Sequence, residues 1–437
     1  MPEAMAQANP SKRSVRALEG ANFFLSDVRE GLGPFITIFL SSSALAWSEA
    51  NIGLALAVVS LATLIAQTPA GALIDATCYK RTLILVSSLA VGGACLMMVL
   101  APNFLTIMAG QSIIGVAAAV FQPALGAITL GLVGRYLFSR QIGRNEAFNH
   151  GGNVFFAVVS LVLGSYYGPE AIFFLVAILG PIAGLSIMLI RENEIDHNRA
   201  REMQRTPDPD ERKPSGFRVL LENRTLLIFT VCVTLFHFAN AAMLPLVSKY
   251  AATKLPDEQA TGAVALCIIF AQLIMIPMAI LVGREVDRWG RKPLFLLGFA
   301  ILPIRGFLYT LWDNPYYLVS VQLLDGIGAG IYGALVFIVL ADIMRGTGRY
   351  NIAQGAVLTV VGVGMALSNW LGFVIEGWYG FNTAFYFLTA IALIAFCLYL
   401  FAMPETRPKD IEELAELTAP ADGLGEGQPK EENSDGK

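Results

Sequence analysis

The chain has 437 residues, of which 55% are apolar and only 15% charged, where an ordinary soluble domain carries about 25% charged residues. With a mean hydropathy of +0.60, it lacks the polar surface to cover its apolar side chains in water. This excludes an ordinary cytosolic enzyme, a disordered chain and a secreted disulfide scaffold, while the net charge of -4 decides little because the charges are unevenly placed.

The first residues, MPEAMAQANPSKRSVR, are polar and carry no cleavable-signal pattern ahead of the first apolar run. Apolar runs of about 20 residues, enough to cross a bilayer as helices, then follow one another. They fall near 20–46, 51–74, 82–101, 104–134, 146–166 and 169–190, then 224–250, 260–283, 293–312, 315–344, 350–376 and 381–403. The period-two alternation of an outer-membrane barrel is absent. The expected fold is therefore an all-α polytopic membrane protein with twelve spans as two six-helix bundles. A tail (1–19), an N-terminal bundle (20–190), a linker (191–223), a C-terminal bundle (224–403) and an acidic tail (404–437) divide the chain. A short surface helix is expected over 409–417, and disorder beyond about residue 420.

Placing the N-terminus in the cytoplasm puts 26 of the 30 Lys and Arg residues on the inner side; only Lys249 and Lys254 fall outside, and Arg29 and Arg305 within spans. That bias sets the orientation, with linker and both termini inside. The five cysteines lie far apart without a CxxC pair, so neither a structural zinc nor a disulfide framework is expected.

Related features recur at similar offsets in the two halves. Gly71 and Asp75 end the second span as Gly283 and Asp287 end the eighth, 212 residues later. Gln111 and Gly115 in span 4 correspond to Gln322 and Gly326 in span 10, and Gly143-Arg144 to Gly348-Arg349. Duplicated six-helix units build transporters with a substrate site at the repeat interface.

The stretch Gly283 to Lys292, with Asp287, Arg288, Gly290 and Arg291, resembles the G-x-x-x-D-R-x-G-R-K signature of the major facilitator superfamily. Gly71, Asp75, Lys80 and Arg81 form a degenerate first copy. The resemblance covers all twelve spans and the linker. It implies two bundles rocking around a central cavity, with these loops in a cytoplasmic latch. Arg81, Arg288, Arg291 and Lys292 are the expected partners of the two Asp residues, as an acid at a helix end pairs with Arg or with a neighbouring helix N-terminus. Basic orientation signals alone are the simpler alternative. Gln111 replaces the span 4 Arg of many proton-driven members. Gly164, Gly168 and Pro169 partly match an element of drug antiporters, and Pro404-Glu405-Thr406-Arg407 resembles the tail of sugar porters.

Ionisable groups within spans are costly and usually face a partner or a wet cavity. Asp27 and Glu30 share one face of helix 1, with Arg29 turned away; they suit proton coupling, recognition of a cation, or an interhelical ion-pair network. Arg305 and Asp325 reach the same depth on successive helices and are expected to pair. His237 and Asn240 lie three apart on helix 7, as a structural pair or a substrate or proton contact. Asn369 and Gln67 are further candidates, and Asp342 with Arg345 is read as gate chemistry or an i,i+3 pair. No nucleotide-motor, metalloprotease or nucleic-acid signature is present, so no enzyme, cofactor or metal is expected.

The expected function is secondary active transport of a small organic solute, with proton-coupled efflux (an antiporter in the cell membrane, expected as a monomer) ahead of uptake of a metabolite. A non-transporting membrane sensor is the alternative from another class.

Overall fold

The computed structural model describes residues 10–30, 35–41, 47–202, 218–252 and 257–409. The side chains of Asp27, Arg29, Glu30 and residues 257–268 are among those outside this description. Helices follow in the order α1 (Lys12–Glu30), α2 (Phe35–Ser41), α3 (Glu49–Ala76), α4 (Lys80–Leu100), α5 (Phe104–Tyr167) and α6 (Glu170–Met188). The second half contributes α7 (Arg218–Glu222), α8 (Arg224–Ala241), α9 (Met243–Ala252), α10 (Asp257–Trp289), α11 (Arg291–Leu308), α12 (Pro315–Val321), α13 (Leu323–Ile343), α14 (Tyr350–Tyr379) and α15 (Phe381–Ala402). Among the described residues, nine helices are long and apolar enough to cross a membrane. One of these is the 64-residue α5, in which Gly134 (φ 69°, ψ 174°) breaks the helical path. It therefore makes two passes.

The span expected to begin at 146 in fact begins directly after Gly134, so Arg135, Arg140 and Arg144 lie on a helix and not in a loop. Glycine permits the turn because its missing Cβ makes positive φ accessible. The duplication shows in the backbone. Gly134 and Gly346 (φ 76°) stand 212 residues apart, as do Gly168 (φ 82°) and Gly380 (φ 84°). The same offset separates Gly71 from Gly283.

Within the first half, α4 packs on α6 and α1 packs on α5 and α6; within the second, α8 packs on α14 and α15, and α11 on α13 and α15. The halves meet along two crossings, α3 with α14 and α5 with α10. Chain contacts gather one set of helix ends on a common face. Ser11 donates from its backbone N–H and its hydroxyl to Glu194 at 3.1 and 2.9 Å, and Arg191 N–H donates to Ser14 Oγ at 3.1 Å. The beginning of α1 and the linker therefore share a side, here the linker face. The acidic tail and its expected helix lie outside the described residues from 410 onward.

Candidate functional site

At the linker face the halves are locked by two related contacts. In the α3–α14 crossing, the Asp75 carboxylate accepts from the Ile352 N–H at 2.8 Å and from Asn351 Nδ2 at 2.7 Å. It thereby satisfies free N–H groups in the first turn of α14, where the helix dipole favours a negative charge. One turn earlier, a Cβ on Gly71 would overlap the Asn351 carbonyl. In the α5–α10 crossing, Asp287 accepts from the Ser139 hydroxyl at 3.1 Å. A Cβ on Gly283 would come within 2.9 Å of Gly143 Cα. Each copy thus supplies a glycine for close approach and an acid that bonds the other half.

The second crossing carries a buried charge network. Arg291, 1% exposed, pairs with Asp287 and with Asp342, both at 2.8 Å. Asp342 also accepts from Arg135 of the first half at 3.0 Å, and Arg135 donates to the Ala341 carbonyl at 2.7 Å. Asp342, read as gate chemistry or as an i,i+3 pair with Arg345, is held by Arg291 and by Arg135 of the first half. Arg81 does not serve Asp75; it bonds the Ile190 carbonyl and Glu192 of the linker. Arg288 faces Glu285 at 4.0 Å and is 65% exposed, so it is no latch partner. Lys292 contributes its backbone N–H, which donates to Glu405 at 3.0 Å.

The start of the linker is wedged between the halves. The Asp196 N–H donates to the Gly131 carbonyl at 3.1 Å, fixing it to the first half. Asn351 Nδ2 donates to the Ala200 carbonyl at 3.1 Å, and the Gly348 N–H to the Glu202 carbonyl at 3.2 Å, both from the second half. The Glu202 carboxylate lies 3.2 Å from Arg135. Burial pushes its pKa up to about 7, against the opposing charge of Arg135.

Above the lock, a polar path runs along α1 and α5 of the first half. Arg144 pairs with Glu19 at 2.7 Å. Gln141 donates to Asn145 Oδ1, and Asn145 to Thr129 Oγ1, each at 2.9 Å. A cavity beside them is lined by Asn22, Gln122, Gly126, Thr129, Glu146 and Phe337. A second one is lined by Thr63, Gln67, Gln122 and Gly355. His150 Nδ1 meets Gln272 Oε1 at 2.7 Å, joining the halves again. Sequence reasoning missed Glu19, Glu146 and His150. The signal was the four-residue spacing of Gln141, Asn145 and Asn149, which reading 135–145 as a loop split between a loop and a span.

The other expected residues divide by location. Arg305 and Asp325 do pair, and Arg305 also bonds Asn240. Gln322 extends this network through Nε2 to Asp325 at 3.1 Å and through a bond from Tyr309. It lies within the second half, among α8, α11 and α13. Asn240 is thereby separated in role from His237, whose ring packs edge-on against Tyr332 at 4.5 Å. Gln67 lines a cavity, while Asn369 is exposed on α14. The side chains of Asp27, Arg29 and Glu30 lie outside the described residues. Among the described residues, no group of three His, Cys, Asp or Glu side chains could hold a metal.

A contact present in only one arrangement biases a two-state equilibrium toward it. Both crossings carry their contacts between the halves at this one face.

The profile of the Major Facilitator Superfamily matches residues 19–284 and 257–426. An uncharacterized MFS-type transporter of Mycobacterium tuberculosis is 48% identical over 403 residues, covering 91% of this chain and 95% of that protein. Multidrug resistance protein 2 of Bacillus subtilis is 27% identical over 45% of this chain and 48% of its own length. The galactose-proton symporter of Escherichia coli is 22% identical over 72% of this chain and 69% of its own. The crystal structure of the human organic anion transporter MFSD10 superposes with a TM-score of 0.69 at 14% identity, over 90% of this chain and all of that one.

Proposed function

The chain belongs to the Major Facilitator Superfamily of membrane transporters, and on that premise we propose that it moves a small organic solute by alternating access, coupled to protons and running outward. The linker and both termini lie in the cytoplasm of this reading, and the membrane is the cell membrane. The observation that carries it is the doubled lock, Asp75 on Ile352 and Asp287 on Ser139. Such a lock suits a protein that must close one face while opening the other. The similarity to a multidrug resistance protein supports export.

Asp27 and Glu30 in helix 1 are the coupling carboxylates of this reading. The test is flux in proteoliposomes under an imposed pH gradient. Outward flux that collapses with an uncoupler supports the proposal. Full gradient-driven transport by both Asp27→Asn and Glu30→Gln removes the coupling role from these residues.

Uptake is the second reading. It is favoured by the similarity to a galactose-proton symporter and by the tail residues Glu405 and Arg407, which grip the α10–α11 turn. The direction of net flux in whole cells separates the two.

A further inference from the structure

The α5–α10 crossing has an inner and an outer side. Beyond Gly134, α5 runs away from the linker face, while α10 runs toward it and ends there at Trp289. Their contacts include Ser139 with Asp287 and Gly143 with Gly283. Each residue of a helix turns about 100° from the one before it. On two antiparallel helices, the residues that follow such contacts therefore turn to one common side. They are Arg140 and Arg144 on α5, and Arg284 and Arg288 on α10, and all four are exposed. A Cβ on Gly283 would stand 3.3 Å from the Arg140 carbonyl, so the two rows are neighbours. Ile142, Asn145 and Glu146 line the interior cavity with Asn22 and Phe337. The arginine side is therefore the outer one, which faces lipid.

The positive charges on that side exceed their partners. Arg144 is taken by Glu19, and Arg288 has Glu285 at 4.0 Å on its own helix. Among the described residues, no carboxylate pairs with Arg140 or Arg284. Arg140 stands five residues beyond Arg135, and Arg284 five before the end of α10. At 1.5 Å per residue each is about 8 Å into its span, a depth from which a long arginine side chain reaches the headgroup layer. Deeper in the span the same faces become apolar. Phe148 and Phe155 follow on α5, and Leu273 and Phe270 on α10, all exposed.

We propose that this groove binds an anionic phospholipid of the leaflet at the linker face, its phosphodiester held by Arg140 of the first half and by Arg284 and Arg288 of the second. Guanidinium groups pair with phosphate oxygens through charge-assisted hydrogen bonds, and basic pockets between spans select anionic headgroups. A zwitterionic headgroup brings its own cation into a site that already has surplus positive charge. An acyl chain lies along the four exposed apolar side chains. Because the arginines come from both halves, one headgroup bridges them while the crossing is closed and loses part of its site when they part. The lipid thus favours the closed linker face. This inference goes beyond the transport reading and does not depend on solute, coupling or direction.

The test titrates the purified full chain in detergent with palmitoyl-oleoyl phosphatidylglycerol or phosphatidylcholine, and native mass spectrometry counts the bound lipids. Phosphatidylglycerol is expected to bind the wild type at least fivefold more tightly than phosphatidylcholine. Arg140→Gln with Arg284→Gln, folded by thermal melting, should abolish that preference. Arg13→Gln with Arg218→Gln removes the same charge from exposed positions elsewhere and should keep it within twofold. Gly143→Ala removes no charge but places a Cβ 2.7 Å from Gly283 Cα, and it should also weaken phosphatidylglycerol binding. The proposal is overturned if the wild type shows no preference, if the folded Arg140→Gln, Arg284→Gln protein retains it, or if the control pair loses it equally. Unchanged phosphatidylglycerol affinity in Gly143→Ala refutes the bridging of the halves. Displacement of the bound lipid by millimolar inorganic phosphate would mark a simple anion site and overturn the lipid assignment.

Discussion

The Asp75 carboxylate accepts the backbone N–H of Ile352 at 2.8 Å across the boundary between the two halves. The bond joins the last turn of one helix to the first turn of another, so it cannot survive separation of α3 from α14. Asp75→Asn keeps the shape and an acceptor but removes the charge that favours a helix N-terminus, an effect of about 1 kcal/mol. The linker face should open more often, by roughly fivefold in population. Maleimide labelling of Cys78, which is exposed beside this crossing, should change relative to the wild type, and an unchanged rate would refute the role of the charge.

Closure at the second crossing depends on the absence of side chains. A Cβ on Gly143 would lie 2.7 Å from Gly283 Cα and also overlap the Ala279 carbonyl. Gly143→Ala should therefore force the crossing apart, at a cost of about 1–3 kcal/mol typical of overpacking. The expected outcome is faster solvent access at Ser139→Cys in the Gly143→Ala background than in Ser139→Cys alone. Gly93, at whose Cβ position nothing lies within 4 Å, supplies the control: Gly93→Ala should leave that access unchanged.

The tail grips the turn that carries Asp287 and Arg291. Glu405 accepts from the Arg291 and Lys292 N–H groups, both at 3.0 Å, and so caps the start of α11, where Gly290 has φ 91° and offers no side chain. Arg407 donates to the Asp287 and Arg288 carbonyls at the end of α10, at 3.1 and 2.9 Å. Loss of a helix cap costs about 1 kcal/mol. Glu405→Ala should lower the melting temperature by a few degrees, whereas Glu405→Asp, one methylene shorter, should recover part of the loss. Equal stability of all three proteins would remove the capping role.

Glu202 makes the linker contact pH-dependent. Its pKa in the docked linker is about 7, above the ordinary 4.5, chiefly because the carboxyl is buried. A raised pKa means that docking takes up a proton. The stabilisation is thus complete below the ordinary pKa and is lost as pH rises through about 7. Over that window it amounts to at most about 3.5 kcal/mol at 1.4 kcal/mol per unit. Tryptic cleavage after Arg201, normalised to a free peptide, should rise between pH 6 and pH 8. Glu202→Gln should flatten the profile at the protected level.

The spans and the two copies of the Gly–Asp signature were legible because a bilayer imposes length and hydropathy on every pass, and because close approach demands glycine. Partners were less legible. Arg81 and Asp75 are near in sequence and opposite in charge, yet the N-terminus of α14 takes the acid and the linker takes the arginine. A helix N-terminus was one of the two partners open to such an acid, but backbone N–H groups have no sequence signature, so which helix end takes Asp75 goes unseen. Glu146 was missed for a different reason. The Gly134 turn is a single residue, and without it three arginines within ten residues read as a loop, which starts the span at 146 and leaves Glu146 at its very edge instead of eleven residues in. Arg305 with Asp325 was legible because two charges at one depth in an apolar slab have few other partners.

That pair also separates structure from function. Arg305 is 1% exposed and meets Asp325, Asn240 and the Met243 sulfur. Arg305→Met leaves the Asp325 carboxylate with Gln322 Nε2 as its remaining described partner. Breaking one side of a buried pair costs about 3–5 kcal/mol, whereas replacing both sides with apolar residues costs far less. Arg305→Met should therefore destabilise strongly, and Arg305→Met with Asp325→Leu should recover most of the loss in melting temperature. Transport then decides the role. If the pair only holds α8, α11 and α13 together, the double variant regains flux along with stability. If Asp325 exchanges Arg305 for a proton or solute, stability returns and flux does not.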